Sequence, residues 1–453
     1  MEDLTTGSIS RHLLKTTGFM LVTMIFQTLY FLVDLYWVGR LGKEAIAGVG
    51  IAGNLTFIVL AITQMLAVGA TTLVSHAVGR KDRDRAQQLL NQSLLLAAVI
   101  GVVFLIVVTA FRAAYVNALS ADRASAMNAS DYLSWFVPAM ALQFPMVVMG
   151  AALRGTGNFK PGMVVQTATV ILNILLAPVL MFGWVAGEPM GVAGVGLASL
   201  IAIVIGTAWL ALYFLPAESY LKFHGDFRPK AGLWAQVLRI GLPAGVEFAL
   251  IAVYMFIAYT VSRPFGAGAQ AGFGIGQRII QAGFMPVVAL AFAVAPVAGQ
   301  NFGARQAHRV GETFKRAAAM GAGAMLMLTL ACNLFPDPMI RFFSSDAAVI
   351  AVGAEYLQIV SWSLAASAVI MVNGSLFQAM GNTVPPLVAS FIRILVVAIP
   401  AMLLARLPGF ELRWLWYLSV AATVLQLGMN LFLLRREFRL KLRFDLTPSP
   451  VTH

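Results

Sequence analysis

The stretch Phe19–Arg40, FMLVTMIFQTLYFLVDLYWVGR, decides how the rest of the chain is read. It is apolar for long enough to cross a hydrocarbon core, which takes about 20 residues of helix, yet Asp34 lies inside it. A charged carboxylate at that depth costs roughly 2.5–3.5 kcal/mol on insertion scales, a cost that a bound proton or a cationic partner relieves. Gln27, Tyr30 and Asp34 are spaced i, i+3, i+7, so all three leave one helix face. Acids inside membrane spans mark ion or substrate pathways, so this face is expected to line a transport cavity. The alternative is a structural Asp bonded to neighbouring helices.

The whole chain has the same character. Of its 453 residues 60% are hydrophobic and only 11% charged, which excludes a water-soluble globular domain. Twelve apolar spans follow one another, near 14–39, 46–78, 88–111, 127–152, 162–184, 191–215, 232–262, 271–299, 308–334, 348–377, 385–405 and 412–434. The first is too long for a signal-peptide core, so no cleaved leader is expected. The single cysteine, Cys332, lies in an apolar span and excludes disulfide frameworks and cysteine metal sites. The net charge of +12 resembles a nucleic-acid footprint until its distribution is followed. With the N-terminus inside, the inner segments hold 21 Lys and Arg and the outer ones 8, with Arg278 and Arg393 within spans. That bias is a topology signal and places both termini in the cytoplasm. No nucleic acid is expected as a partner; the lipid bilayer is.

The chain also repeats itself. An offset of 224 residues holds without a gap from Gly42 to Pro161, pairing Gly48 with Gly272, Tyr132 with Tyr356 and Asn158 with Asn382. Upstream the offset is 223. An even number of spans per repeat gives both halves the same orientation, related by an axis along the membrane normal. The expected fold is an all-α polytopic membrane protein of twelve helices in two six-helix lobes with pseudo-twofold symmetry. Its parts are an N-terminal lobe 1–215, a cytoplasmic linker 216–231, a C-terminal lobe 232–435 and a basic tail 436–453. The lobes differ where it matters: Asp34 pairs with Ile257, and Glu247 pairs with Met24. The two acids are both candidates for cation coupling. Glu247 has a structural alternative, a salt bridge to Arg278 or Arg393.

No enzyme is expected. Gly48–Gly53 fits GxGxxG, but no βαβ unit surrounds it, and small residues that let helices approach account for it. HExxH, GxSxG and Walker A strings do not occur, and the five histidines form no metal-ligand spacing. Pro243, Pro286, Pro296 and Pro400 lie in spans and are candidate bending points.

Six segments resemble the multidrug and toxic compound extrusion (MATE) family: LVDLYWVGRLG (32–42), AVGRKDRDRA (77–86), ALRGTGNFKPG (152–162), GLPAGVE (241–247), GQNFGARQAHR (299–309) and LFQAMGNTVPP (376–386). The resemblance implies a V-shaped pair of six-helix bundles around a central cleft, exporting cationic amphipathic drugs and dyes in exchange for H⁺ or Na⁺. It ties the first-helix Asp, here Asp34, to cation coupling. The family's Asn-x-x-x-Asp pair in the fifth helix is matched at Asn173 but not at Ala177. Its second-lobe sodium pair is matched by Glu247 one turn early, with Asn382 in place of the Asp, and Phe19 stands near the usual proline. The two departures at Glu247 and Asn382 weaken the sodium reading and favour protons. Expected cavity residues are Gln27, Tyr30, Asn54, Gln64, Gln143, Asn173, Tyr254, Gln277, Gln281 and Asn373, with Arg278 and Arg393 the basic ones. Phe57, Met65, Met146 and Phe284 are further candidates for holding flat cations. The expected protein is a monomeric H⁺ antiporter of a bacterial inner membrane, without an organic cofactor. A Na⁺ antiporter using Glu247 and a lipid-precursor flippase are the alternatives.

Overall fold

The computed structural model describes residues 2–443 apart from 121, 185, 186, 217, 218 and 224, with Phe31 and Leu35 described by backbone alone. Within these residues the chain is helical, without strands. The first six long helices are α1 (Ile9–Gly39), α2 (Lys43–Gly79), α3 (Arg83–Leu119), α4 (Arg123–Gly155), α5 (Lys160–Phe182) and α6 (Val192–Leu212). The remainder are α7 (Ala231–Ser262), α8 (Gly266–Gly303), α9 (Ala307–Leu334), a short α10 (Pro336–Arg341), α11 (Ala347–Val360), α12 (Leu364–Ala379), α13 (Val384–Leu404) and α14 (Leu412–Lys441). A 3₁₀ turn joins α11 to α12, so Ala347–Ala379 makes one membrane-length span. Another joins α7 to α8. By length and composition the described residues give eleven stretches able to cross a membrane; one of them, Ala231–Gly303, is 73 residues long and broken by the 3₁₀ turn into α7 and α8, which brings the number to the twelve that the apolar spans predict.

Several helices outrun their apolar stretches. α3 continues to Leu119 where the span was expected to stop at 111, and α14 runs on to Lys441. The start of the expected basic tail is therefore helix, because charged residues outside the hydrocarbon satisfy a helix as well as a coil. Residues 444–453 of that tail lie outside the described residues. Aspartates set the starts: Asp82 accepts from the Arg85 N–H at 2.9 Å, and Asp122 from the Ser125 N–H at 2.8 Å. The Ser125 backbone N–H and hydroxyl hold the Asp122 carboxyl below the usual carboxylate range.

The sequence repeat is reproduced in backbone detail. Lys81 and Arg305, 224 residues apart, both take left-handed backbone at φ 60° and 58°. Each is followed by a residue whose N–H reaches back five positions, Asp82 to Ala77 O and Gln306 to Asn301 O, both at 2.9 Å. Gly157 and Gly381 do the same at φ 79° and 72°. Side-chain packing repeats too. A Cβ on Gly48 would come within 2.8 Å of the Ala129 nitrogen, and one on Gly272 within 2.9 Å of the Gly353 nitrogen. These are equivalent crossings, α2 on α4 and α8 on α11, closed by small residues.

Contacts divide the chain into two compact units, Met1–Asp3 with Gly18–Gly245, and Leu4–Thr17 with Val246–His453. The division runs through α1 and α7 rather than at the linker. In the first unit the apolar core is built around Leu66, Leu133, Met140 and Phe144. The linker is fastened to α3: the Gln87 amide receives Lys222 N–H at 2.8 Å, and the Gln92 amide brackets Arg228 O and Lys230 N–H. In the second unit Phe273 stacks on Trp416 at 5.1 Å between ring centroids, and Tyr356 meets Trp416 edge-on. There the segment before α1 is fastened in the same manner. Leu4 donates to Gln300 at 3.0 Å, while Asn301 and Arg309 hold its carbonyl.

The two glycine crossings yield a test. Gly48→Ala and Gly272→Ala should each destabilise the protein by about 1–3 kcal/mol through overpacking. Gly50→Ala, with nothing within 4 Å of its Cβ, is the control. Lowered melting temperature in detergent for the first two alone is the expected result.

Candidate functional site

Asp34 sits in α1, one turn beyond Tyr30, in the first unit. Its Oδ1 is buried and has no hydrogen-bond partner. The Tyr30 hydroxyl lies 3.4 Å from the Ser199 hydroxyl of α6. Ser199 also accepts from the Asn173 amide of α5 at 2.9 Å and reaches the Val195 carbonyl of its own helix at 3.2 Å. Tyr132 of α4, only 3% exposed, lies close enough to feel the charge of Asp34, as Tyr30 does. Four helices thus bring a carboxylate, two phenols, an amide and a hydroxyl together. Ala177 lies one turn beyond Asn173 and is buried, so a methyl group stands at the position where the resemblance implies a second acid. Asn173 Oδ1 is left buried without a partner.

Ser199 is missing from the sequence-based candidates, although it is the one hydroxyl in an otherwise small and aliphatic stretch, VAGVGLASLIAIVIG. That isolation was a usable signal. Tyr132 was visible only as half of an identical repeat pair. The other candidates of the first unit scatter. Gln27 and Asn54 are exposed, and Asn54 bonds Tyr115, whose hydroxyl donates to the Ile51 carbonyl at 2.7 Å. Gln64 and Gln143 are half-buried on α2 and α4. Met146 belongs to a closed apolar core rather than to an open surface, while Phe57 is exposed. Met65 packs against the first unit's core and Phe284 against the second's.

In the second unit Ile257, which occupies the place of Asp34, packs against the apolar core. Glu247 is not salt-bridged to either arginine among the described residues. Instead the Ser390 hydroxyl donates to Glu247 Oε1 at 2.9 Å, Gln426 Nε2 donates to Ser390 at 3.0 Å, and Arg393 donates to Gln426 Oε1 at 3.4 Å. The guanidinium lies 5.2 Å from the ring centroid of Tyr254, whose hydroxyl meets Ser419 at 2.8 Å. Two side chains therefore stand where a direct ion pair was the alternative. Arg278 and Gln281 are exposed on α8, and Gln277 accepts from the Tyr356 hydroxyl.

Two further amides of the second unit are turned into the interior or onto a neighbouring helix. Asn373 is fully buried and donates to the Asn430 carbonyl at 3.2 Å, so it packs α12 on α14 instead of lining a cavity. Asn382 is committed to Glu437 at 2.9 Å, and Glu437 also pairs with Lys441 at 2.9 Å, so Asn382 serves the end of α14. Among the described residues no three His, Cys, Asp or Glu side chains gather as metal ligands.

Comparison with known proteins agrees with this architecture. Residues 20–179 and 243–404 match the family model described as MatE. The chain is 25% identical to the probable multidrug resistance protein NorM of Thermotoga maritima, covering 83% of this chain and 81% of that one. It is 22% identical to an FAD transporter of Shewanella oneidensis, with 82% of each covered. A crystal structure of a MATE protein in a bent conformation superposes with a TM-score of 0.91 at 22% identity, covering 98% of both chains.

The shared acceptor is the test of the first cluster. Ser199→Ala removes the partner of the buried Asn173 amide and should cost about 1–3 kcal/mol. Tyr30→Phe gives up only the long contact to Ser199 and should cost less. Thermal unfolding of the purified protein ranks the two.

Proposed function

The chain belongs to the MatE family of multidrug and toxic compound extrusion transporters, and from that premise we propose that it is a secondary active antiporter exporting cationic amphipathic compounds in exchange for protons taken up at Asp34. Members of the family are transporters, not enzymes. The observation that carries the proposal is the buried, unpartnered Oδ1 of Asp34 beside the phenols of Tyr30 and Tyr132. A carboxylate with no cation of its own is free to take one.

The mechanism follows from that single group. Open to the outside, Asp34 accepts a proton and loses its negative charge, and with it the attraction for a bound cation, which leaves. Open to the inside, the incoming cation and the proton compete for the same oxygen atoms. One group that cannot hold both ligands couples the two opposed fluxes. One proton entering for one monovalent cation leaving moves no net charge, so the pH difference drives such a cycle, at about 1.4 kcal/mol per pH unit. Protons are favoured over sodium because Glu247, the candidate acid of the second unit, already accepts a hydrogen bond from Ser390, at the end of a chain that starts on a guanidinium. The basic residues on the inner segments support an orientation with both termini in the cytoplasm, and the bacterial relatives support an inner membrane.

Dye export from proteoliposomes under an imposed pH gradient tests this reading. Wild type should accumulate ethidium against its gradient, and folded Asp34→Asn should only equilibrate it. Replacing Na⁺ by K⁺ at a fixed pH gradient should change nothing; loss of export would move the coupling to sodium. FAD belongs in the panel because the Shewanella relative carries it. Export of FAD in preference to cationic dyes would overturn the cargo class.

A further inference from the structure

The second unit holds an ionic group for which proton exchange at Asp34 has no use. Arg393 lies midway along α13, with its guanidinium against the face of Tyr254. Nη1 makes one long bond, 3.4 Å to Gln426, and Nε is buried without a partner. A guanidinium has five N–H donors in a planar fork, so most of its capacity is unspent.

Glu247 does not supply the missing anion. Every hydrogen in the chain between them points away from the cation: Arg393 donates to Gln426, Gln426 to Ser390 and Ser390 to Glu247. The carboxylate is thereby held by a neutral hydroxyl, and the guanidinium keeps its fork. A cation left so in a membrane-spanning unit calls for an anionic group with two oxygens in a plane. We infer that Arg393 anchors the carboxylate of an amphipathic aromatic compound, with the Tyr254 ring beside it for the apolar part. The contact serves those amphipathic aromatic compounds that carry a carboxylate. It rests on the export reading only in taking the chain to bind amphipathic compounds, and it does not depend on the coupling ion.

Rhodamine B, with a free benzoate, and its methyl ester are one chromophore differing by one negative charge. Fluorescence anisotropy with the full-length protein in detergent measures both. Arg393→Gln should weaken the acid about tenfold or more, the worth of a charge-assisted hydrogen bond, and change the ester less than about twofold. Arg393→Lys, which keeps the charge and loses the fork, should fall between. Sodium benzoate, but not benzamide, should displace the acid from wild type; this arm needs no variant and decides alone if Arg393→Gln does not fold. Equal loss of both dyes in Arg393→Gln, or no displacement by benzoate, overturns the assignment. If wild type binds the acid but not the ester, the cationic cargo fails while this site stands.

Discussion

Inside a bilayer no water is present to satisfy a polar group, and that constraint shapes every level of this protein. It makes the described membrane-length segments helical, because only a helix closes its own hydrogen bonds within one segment. It also sorts the side chains. Thr16, Thr23, Thr169 and Thr423 each turn their hydroxyl back to a carbonyl of their own helix. Asn373, Gln300 and Asn301 are buried and donate to or accept from backbone. Several buried atoms on neutral side chains still lack a partner, Asn373 Oδ1 among them, but an unpartnered atom on a charged group costs the most.

Asp34 Oδ1 and Arg393 Nε are two such atoms on ionisable groups, and they lie in different units of a duplicated chain. The duplication explains how this is tolerated. Each unit has the same backbone turns, the same glycine crossing and the same buried tyrosine, Tyr132 or Tyr356. With the scaffold held in common, the polar positions are free to diverge. One unit carries an acid where the other has Ile257, and the other carries a cation with a hydrogen-bonded route to its own acid. Different charged groups in equivalent scaffolds give two chemically distinct surroundings without two folds.

Much of the fold was legible before any coordinate. Twelve apolar spans, the gapless repeat and the lobe order follow from hydropathy and internal self-comparison, since a helix in lipid needs little beyond length and apolar composition. Helix ends were less legible, as α3 and α14 show, because charged residues outside the hydrocarbon neither require nor forbid helix. The left-handed backbone at Lys81 and Arg305 was invisible, since neither residue type announces it.

The candidate site divides along the same line. The sequence by itself determined that Asp34 and Glu247 lie within apolar runs and that each is unmatched in the other half, because charge in an apolar run is readable from one dimension. Which groups meet those acids was decided by tertiary structure alone. Ser199 is 169 residues from the Tyr30 it meets, and Gln426 is 33 from the Arg393 it bonds. No local pattern carries such a pairing. Helix packing also turned Asn373 into the interior and Asn382 toward Glu437, because an amide side chain goes wherever neighbouring helices place a partner.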